Sequence, residues 1–295
     1  AWNSQLSCIA HIDMNAFYSQ VDQVRYGFSK DDPVVSVQWS SIIAVSYAAR
    51  KYGISRMDTL ESARAKCKTL KAVHTATFKK GENFWKSTPL GEFPSPFDHK
   101  VSLDPYRREG RKILSILQSH CDLVQKASVD EAFLDLGRIV YDVILGKSSF
   151  LELSNEQNNM LQEVRDLFSG EHFSGDDNLP EINKKVNEHF KPIGNIIKEK
   201  NSEESPTISD WDELIIVIGS MITDKIRADI FAKTSYFTSC GVSNNKSLSK
   251  IASDFKKPDT QTIIFNKSID AFLDNGQFEV TDFWTLGGNK GKEVM

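Results

Sequence analysis

At 295 residues and 40% hydrophobic content, the chain is long enough for two domains, or for one large domain with insertions, around a sizeable core. Its longest uninterrupted apolar stretch, Leu214 to Ile218, falls far short of the roughly 20 residues that span a bilayer. A formal net charge of −4 argues at face value against a nucleic-acid partner.

The distribution of charge reverses that last exclusion. Residues 142–213 hold 16 acidic and 7 basic side chains, so the remainder carries 29 basic against 24 acidic. Within the remainder, residues 233–257 contain five lysines and one acid, Asp254. Local basic surface, not the global sum, sets a phosphate-binding footprint. Cys8, Cys67, Cys121 and Cys240 form no CxxC or CxxH pair, which excludes a local zinc knuckle and fits reduced thiols in the cytosol or nucleus. No charged-then-apolar leader opens the chain. A start at Ala1 and a stop at Met295 inside a helical pattern read as a fragment.

In chain order, residues 7–14 predict a buried strand, and Phe17, Val21 and Val24 at i, i+4, i+7 predict a helix after it. Val34 to Gln38 and Ile42 to Ser46 read as a strand pair joined by Trp39-Ser-Ser41. Tyr47 to Tyr52 is helical up to Gly53, a C-cap. Asp104-Pro105 starts a helix, with the carboxylate as cap and Pro at the first helical position, running to about Cys121 on an Ile113, Leu114, Ile116, Leu117 stripe. Leu123-Val124 and Phe133 to Leu136 read as strands flanking Asp130-Glu131.

Residues 142–210 are polar and weakly periodic, with short helical pieces around 158–168 and 181–189. They read as a solvent-facing, partly mobile insertion or connection. Asp212 to Phe231 is the strongest amphipathic pattern. Tyr236 to Val242 then predicts a strand and Lys246 to Phe255 a short helix with exposed lysines. The Leu286-Gly-Gly-Asn-Lys-Gly291 segment is a glycine-rich turn. Helices and strands alternate without a clean βαβ period, which points to the α+β class.

Asp13, Asp130 and Glu131 lie at strand ends, where hard oxygen ligands can face a cleft. Together with the Met14 carbonyl they form the oxygen set a two-metal phosphoryl-transfer site needs. Successive strand residues point to opposite faces, so Asp130 and Glu131 converge only at a bend, with Asp130 the shared ligand and Glu131 the more peripheral. On the residues alone, Asp13 serves equally as a helix cap and Asp130-Glu131 as an exposed hairpin corner.

His11-Ile-Asp-Met-Asn-Ala-Phe-Tyr18 resembles the first catalytic motif of the Y-family translesion DNA polymerases, and Ala127-Ser-Val-Asp-Glu-Ala-Phe133 their second. Between them, the string from Ile42 to Met57, with Ser-Tyr-Ala-Ala-Arg-Lys-Tyr-Gly at its centre, is similar to the fingers of the family's fungal eta branch. The likeness covers residues 8–137 and about 211–295, and nothing is carried over to 142–210.

The resemblance implies a ferredoxin-like palm with a mixed or antiparallel sheet, inserted α/β fingers and a partial helical thumb. The palm would be 1–16 and 104–264, the fingers 17–103 and the thumb 265–295. It implies that Asp13, Met14, Asp130 and Glu131 bind two Mg²⁺ ions, with Mn²⁺ as an alternative. Phe17, Tyr18, Tyr47, Arg50 and Lys257 would hold the nucleotide, with Tyr18 as a steric gate where many relatives carry Phe. Gln38, Arg56 and Met57 would meet the templating base. Lys246, Lys250, Gly287, Gly288 and Gly291 would contact DNA.

The implied function is template-directed insertion of dNTPs opposite lesions such as thymine dimers, on primed template DNA in the nucleus, without a membrane. Sliding-clamp and ubiquitin contacts are expected only beyond residue 295. Two other readings compete: a DNA-binding fragment with impaired catalysis for want of the DNA-gripping domain, and a nucleotidyl cyclase sharing the palm and carboxylates.

Overall fold

The computed structural model describes residues 7–169, 179–198, 207–275, 279–283 and 289–294. It opens with β1 (Ile9–Met14) and α1 (Phe17–Arg25), then β2 (Val34–Gln38), β3 (Ser41–Val45), α2 (Tyr47–Arg50), α3 (Leu60–Lys66) and β4 (Lys71–His74). A small hairpin, β5 (Thr77–Lys79) with β6 (His99–Val101), leads into α4 (Asp104–His120), β7 (Val124–Lys126), β8 (Glu131–Asp135) and α5 (Gly137–Ile144). Next come α6 (Asn155–Ser169), α7 (Leu179–His189), β9 (Asn195–Ile196) and α8 (Trp211–Thr234). The remaining elements are β10 (Thr238–Ser243), α9 (Lys246–Asp254), β11 (Gln261–Ile263), α10 (Ile269–Asn275) and α11 (Asn289–Val294).

The mixed α/β architecture is built on a six-stranded sheet of order β7-β8-β1-β10-β11-β9. Its β7, β8, β1 and β10 run antiparallel to their neighbours, whereas β10, β11 and β9 pair in parallel. Strand alternation sorts β1 into two sets. Ala10, Ile12 and Met14 join the main core with α4, α5 and α8, while His11 turns to the opposite face, where it meets Ser253 of α9. A second sheet, β3-β2-β4, closes its own core around Val35, Val37, Ile42 and Ala49. The β2–β3 hairpin turns through Trp39 at φ 54°, and Gly53, at φ 72°, ends the helical stretch after Arg50.

Several expectations need correction. Val24 is 41% exposed, so the buried face of α1 runs through Phe17, Gln20 and Val21 instead. Leu103, not Asp104, is the N-cap of α4 and supplies no side-chain bond; Asp104 lies inside the helix and pairs with Arg107 at 3.2 Å. The N-terminal half of α8 is buried all round, from Glu213 to Ser220, so that half is a core helix, and the one-sided pattern holds only further along, where Ile222, Ile226 and Ile230 are buried and Lys225, Ala228 and Phe231 exposed. The 142–210 stretch contains the two expected helices. Met160, Leu161, Val164, Val186 and Phe190 are buried in the main core, so the stretch is not simply solvent-facing. The buried apolar residues recur at helical spacing, Met160, Leu161 and Val164 on α6 and Val186 and Phe190 at the end of α7, which a polar average conceals. Among the described residues no helix is long and apolar enough to cross a membrane.

Candidate active site

The site forms where the ends of β1 and β8 meet. In the antiparallel register Asp13 stands directly opposite Glu131, so both side chains leave one face of the sheet. The Met14 N–H donates to the Asp130 carbonyl at 3.0 Å. The bend required for Asp130 and Glu131 to cooperate is present: the N–H groups of Ala127 and Ser128 both donate to the Glu131 carbonyl, at 3.0 and 3.1 Å. Asp130 sits in that bend, and the Ser128 hydroxyl donates to its carboxylate. Two motifs more than a hundred residues apart thus deliver three carboxylates to one sheet edge.

Positive charge gathers on them. The Lys257 ammonium lies 2.6 Å from Asp13 Oδ2 and 2.6 Å from Asp254 Oδ1, with the side chains of Lys257 and Asp13 only 18% and 20% exposed. Lys250 contacts Glu131 Oε2 at 2.5 Å, and His11 Nε2 reaches the same oxygen at 3.1 Å. Burial pushes the Asp13 carboxyl above its usual range, against the pull of Lys257 and with the Asp130 charge adding to the rise. The hydrogen bond from His11, opposed by partial burial and helped by Lys250, brings Glu131 down to about 2.

Among the described residues no group of three or more His, Cys, Asp or Glu is placed to hold a metal ion by itself. Hard divalent ions commonly use one or two carboxylates and complete their shell with water and substrate phosphate. The donor set fits that pattern. Two opposed carboxylates sit in partly desolvated positions, and each is met by an ammonium nitrogen that balances the charge a cation would neutralise.

The aromatic wall comes from α1. Phe17 is buried and Tyr18 half-buried, as the helical spacing predicts. Tyr18 stacks on Tyr106 with ring centroids 4.2 Å apart and planes 20° from parallel. Burial raises the Tyr18 hydroxyl, and the Asp130 charge raises it further, against the pull of Arg107 and Arg56. Helix α1 starts at Ala16 in a left-handed conformation (φ 45°) without a side-chain cap, leaving its first-turn N–H groups open to an outside acceptor.

From the fingers side, Ser46 caps α2 through the Ala49 N–H. The Arg50 guanidinium lies over the Tyr47 ring at 4.3 Å and donates to the Val45 carbonyl. Tyr47 shares a 210 Å³ cleft with Asn15, Ala16 and Pro258. Gln38 ends β2, while Arg56 and Met57 are exposed on the loop after Gly53, Met57 at 93%.

Other predicted residues lie apart from this cluster or outside the description. Lys246 contacts Gln125 at 2.5 Å on the neighbouring strand β7. Gly287 and Gly288 lie outside the described residues, and Gly291 falls in α11. Sequence reasoning missed His11 and Tyr106. His11 was findable, since strand alternation puts it on the same side as Asp13; Tyr106 was not, because its stack on Tyr18 crosses 88 positions.

A comparison with protein families matches residues 12–254 to the impB/mucB/samB family. Among curated proteins, DNA polymerase eta of Saccharomyces cerevisiae is 49% identical over 100% of this chain and 48% of its own length. The N-acetyltransferase eso1 of Schizosaccharomyces pombe is 36% identical over 99% of this chain and 31% of its own length. DNA polymerase eta of Drosophila melanogaster is 25% identical over 96% and 30%. The chain spans half or less of the length of these relatives.

Proposed function

We propose, from the premise that this chain belongs to the impB/mucB/samB family, that it is the catalytic portion of a template-directed DNA polymerase of the eta type, working in the nucleus on damaged templates. The observation that carries the reading is the register opposing Asp13 to Glu131, with Met14 bonded to Asp130, beneath Lys257 and Lys250. The polymerase names of the relatives favour catalysis over a DNA-binding remnant or a cyclase.

Kinship implies dependence on divalent metal in general; our reading is two Mg²⁺ ions held by Asp13, Asp130, Glu131 and the Met14 carbonyl. Such ions, when bound, would neutralise the triphosphate and make the primer 3′-hydroxyl more acidic. The 3′-hydroxyl gives up its proton to solvent as its oxygen attacks the α-phosphorus of a dNTP in line, the bond to the bridging oxygen breaks, and pyrophosphate leaves. Tyr47 and Arg50 grip the triphosphate, Arg50 through its two-pronged guanidinium, and Lys257 neutralises it from the palm. The open first turn of α1, at Phe17 and Tyr18, offers N–H groups and a positive helix end to the phosphates. The Tyr18 ring, backed by Tyr106, fills the space a ribose 2′-hydroxyl needs. Gln38, Arg56 and Met57 form the roof over the templating base, and Lys246 and Lys250 face the primer side.

Primer extension tests this, using an undamaged template and one carrying a thymine dimer, with Mg²⁺ and dNTPs. We expect incorporation on both, and a loss of roughly a hundredfold or more in Asp130→Asn, comparable to removing one preorganised electrostatic group. Extension undiminished in that variant, or a cyclic nucleotide product formed without template, would reject the reading.

A further inference from the structure

Against Tyr47 lies a cleft of 210 Å³, most of whose lining the proposed chemistry does not use. It is lined by Asn15, Ala16, Lys30, Tyr47, Lys51 and Pro258, among others, and it opens between α1, α2 and the loop after α9. Asn15 is 5% exposed. Its Oδ1 accepts a hydrogen bond from Ser239 at 2.8 Å, but its Nδ2 has no partner among the described residues. A buried N–H donor left unpaired costs about 1–3 kcal/mol, so this atom of a cleft-lining residue would gain from any acceptor that reaches it.

The charge of the lining says which acceptor. Lys30 and Lys51 are exposed and make no ion pair among the described residues; Lys30 overhangs the Phe237 ring at 5.7 Å. Two acids also line the cleft, but Asp259 is neutralised by Arg227 at 2.9 Å, which leaves Asp31 alone against two ammonium groups. The cleft's 210 Å³ is ample for one or two phosphate groups.

Position supplies the source of the anion. The cleft takes the residue next to each part of the proposed triphosphate grip: Ala16 beside Phe17, Lys51 beside Arg50 and Pro258 beside Lys257, with Tyr47 common to both. We propose that this cleft is a second anion site, which receives the pyrophosphate released by nucleotidyl transfer and holds it behind Tyr47 on its way to solvent. The identity of the anion's source rests on the polymerase reading; the affinity for a phosphate anion does not.

Two measurements separate these. Pyrophosphate binding to the chain is followed by ³¹P NMR without divalent cations, and product inhibition by pyrophosphate is followed during primer extension. In the double variant Lys30→Ala/Lys51→Ala, two exposed changes that leave the core untouched, we expect the dissociation constant and the inhibition constant each to rise roughly tenfold, with KM for dNTP nearly unchanged. Asn15→Asp, which keeps the shape and adds a negative charge, moves both in the same direction. An unchanged dissociation constant overturns the site. A KM rising in step with the inhibition constant also overturns it, because the cleft is then part of the triphosphate grip. Lysine-dependent pyrophosphate binding in a chain that does not extend primers supports the site and rejects only the polymerase reading.

Discussion

Asp22 shows how a single buried carboxylate sets a pH dependence. It sits on α1 with no exposure, accepts hydrogen bonds from Ser36 at 2.6 Å and Tyr106 at 3.0 Å, and has its nearest cation, Arg25, 4.0 Å away. Burial outweighs those bonds and pushes the carboxyl up to about 6. A carboxyl raised in the folded state binds protons more tightly there than in the unfolded chain. Its contribution is therefore fully present below about pH 4, where unfolded Asp titrates, and is lost as pH rises through 6. The loss is about 3 kcal/mol at most, from roughly two pH units at 1.36 kcal/mol each. Asp22→Asn, a neutral side chain that still accepts from Ser36 and Tyr106, should raise the urea midpoint at pH 8 and leave it nearly unchanged at pH 4. Equal shifts at both values would show that the carboxylate's charge carries no cost. None of this was legible in the chain, because the partners of Asp22 lie 14 and 84 positions away and on different elements. Asp13, Asp130 and Glu131 were legible because their motifs are local strings; what pairing added was the register that opposes two of them.

At the scale of elements, α9 is the part on which the candidate site depends most. It lies across β10 and carries Lys250 to Glu131 and Ser253 to His11 Nδ1, the latter at 2.8 Å. So close an approach needs a residue without a side chain, and Gly241 supplies it, paired with His11 on the neighbouring strand. A Cβ there would meet the Ser249 carbonyl, and would stand 2.6 Å from the Ser253 nitrogen and 2.7 Å from the Ala252 Cβ. Because the obstacles are mostly backbone, Gly241→Ala should cost about 1–3 kcal/mol in urea unfolding, as overpacking does, and should lift α9 from the sheet. The second effect is read from the His11 ring signals in NMR, which should shift as Ser253 moves. A variant as stable as its parent, with those signals unmoved, would show that the fit is loose. The strand and helix at β10 and α9 were predictable from their apolar spacing, but their separation was not. Nor was β9, whose two residues gain strand character only by pairing in parallel with β11 some 67 positions away. Local propensity carries no trace of such a contact.

For the molecule as a whole, the open question is how much of its positive charge is available to a nucleic acid. Counting lysines between 233 and 257 suggests a footprint of five. The structure uses several internally: Lys233 pairs with Asp229, Lys250 with Glu131, and Lys257 with both Asp13 and Asp254. A charge held by the chain's own carboxylates neutralises no phosphate unless it first exchanges partners. The effective footprint is therefore smaller than the count, and it lies with lysines such as Lys256, which is exposed, overhangs the Phe255 ring at 5.2 Å and makes no ion pair among the described residues. Each phosphate neutralised contributes roughly −0.9 to the slope of log K against log salt for duplex DNA. Fluorescence anisotropy titrations of primed DNA at several salt concentrations, without divalent cation or dNTP, read that slope directly. Lys256→Ala should flatten it by about 0.9, while Lys257→Ala should leave it unchanged within error, because Lys257 is committed to Asp13 until a phosphate or a cation displaces it. If Lys257→Ala flattens the slope as much as Lys256→Ala, the internal pairs exchange freely with DNA. In that case the sequence count, and not the structure, describes the charge that a nucleic acid meets.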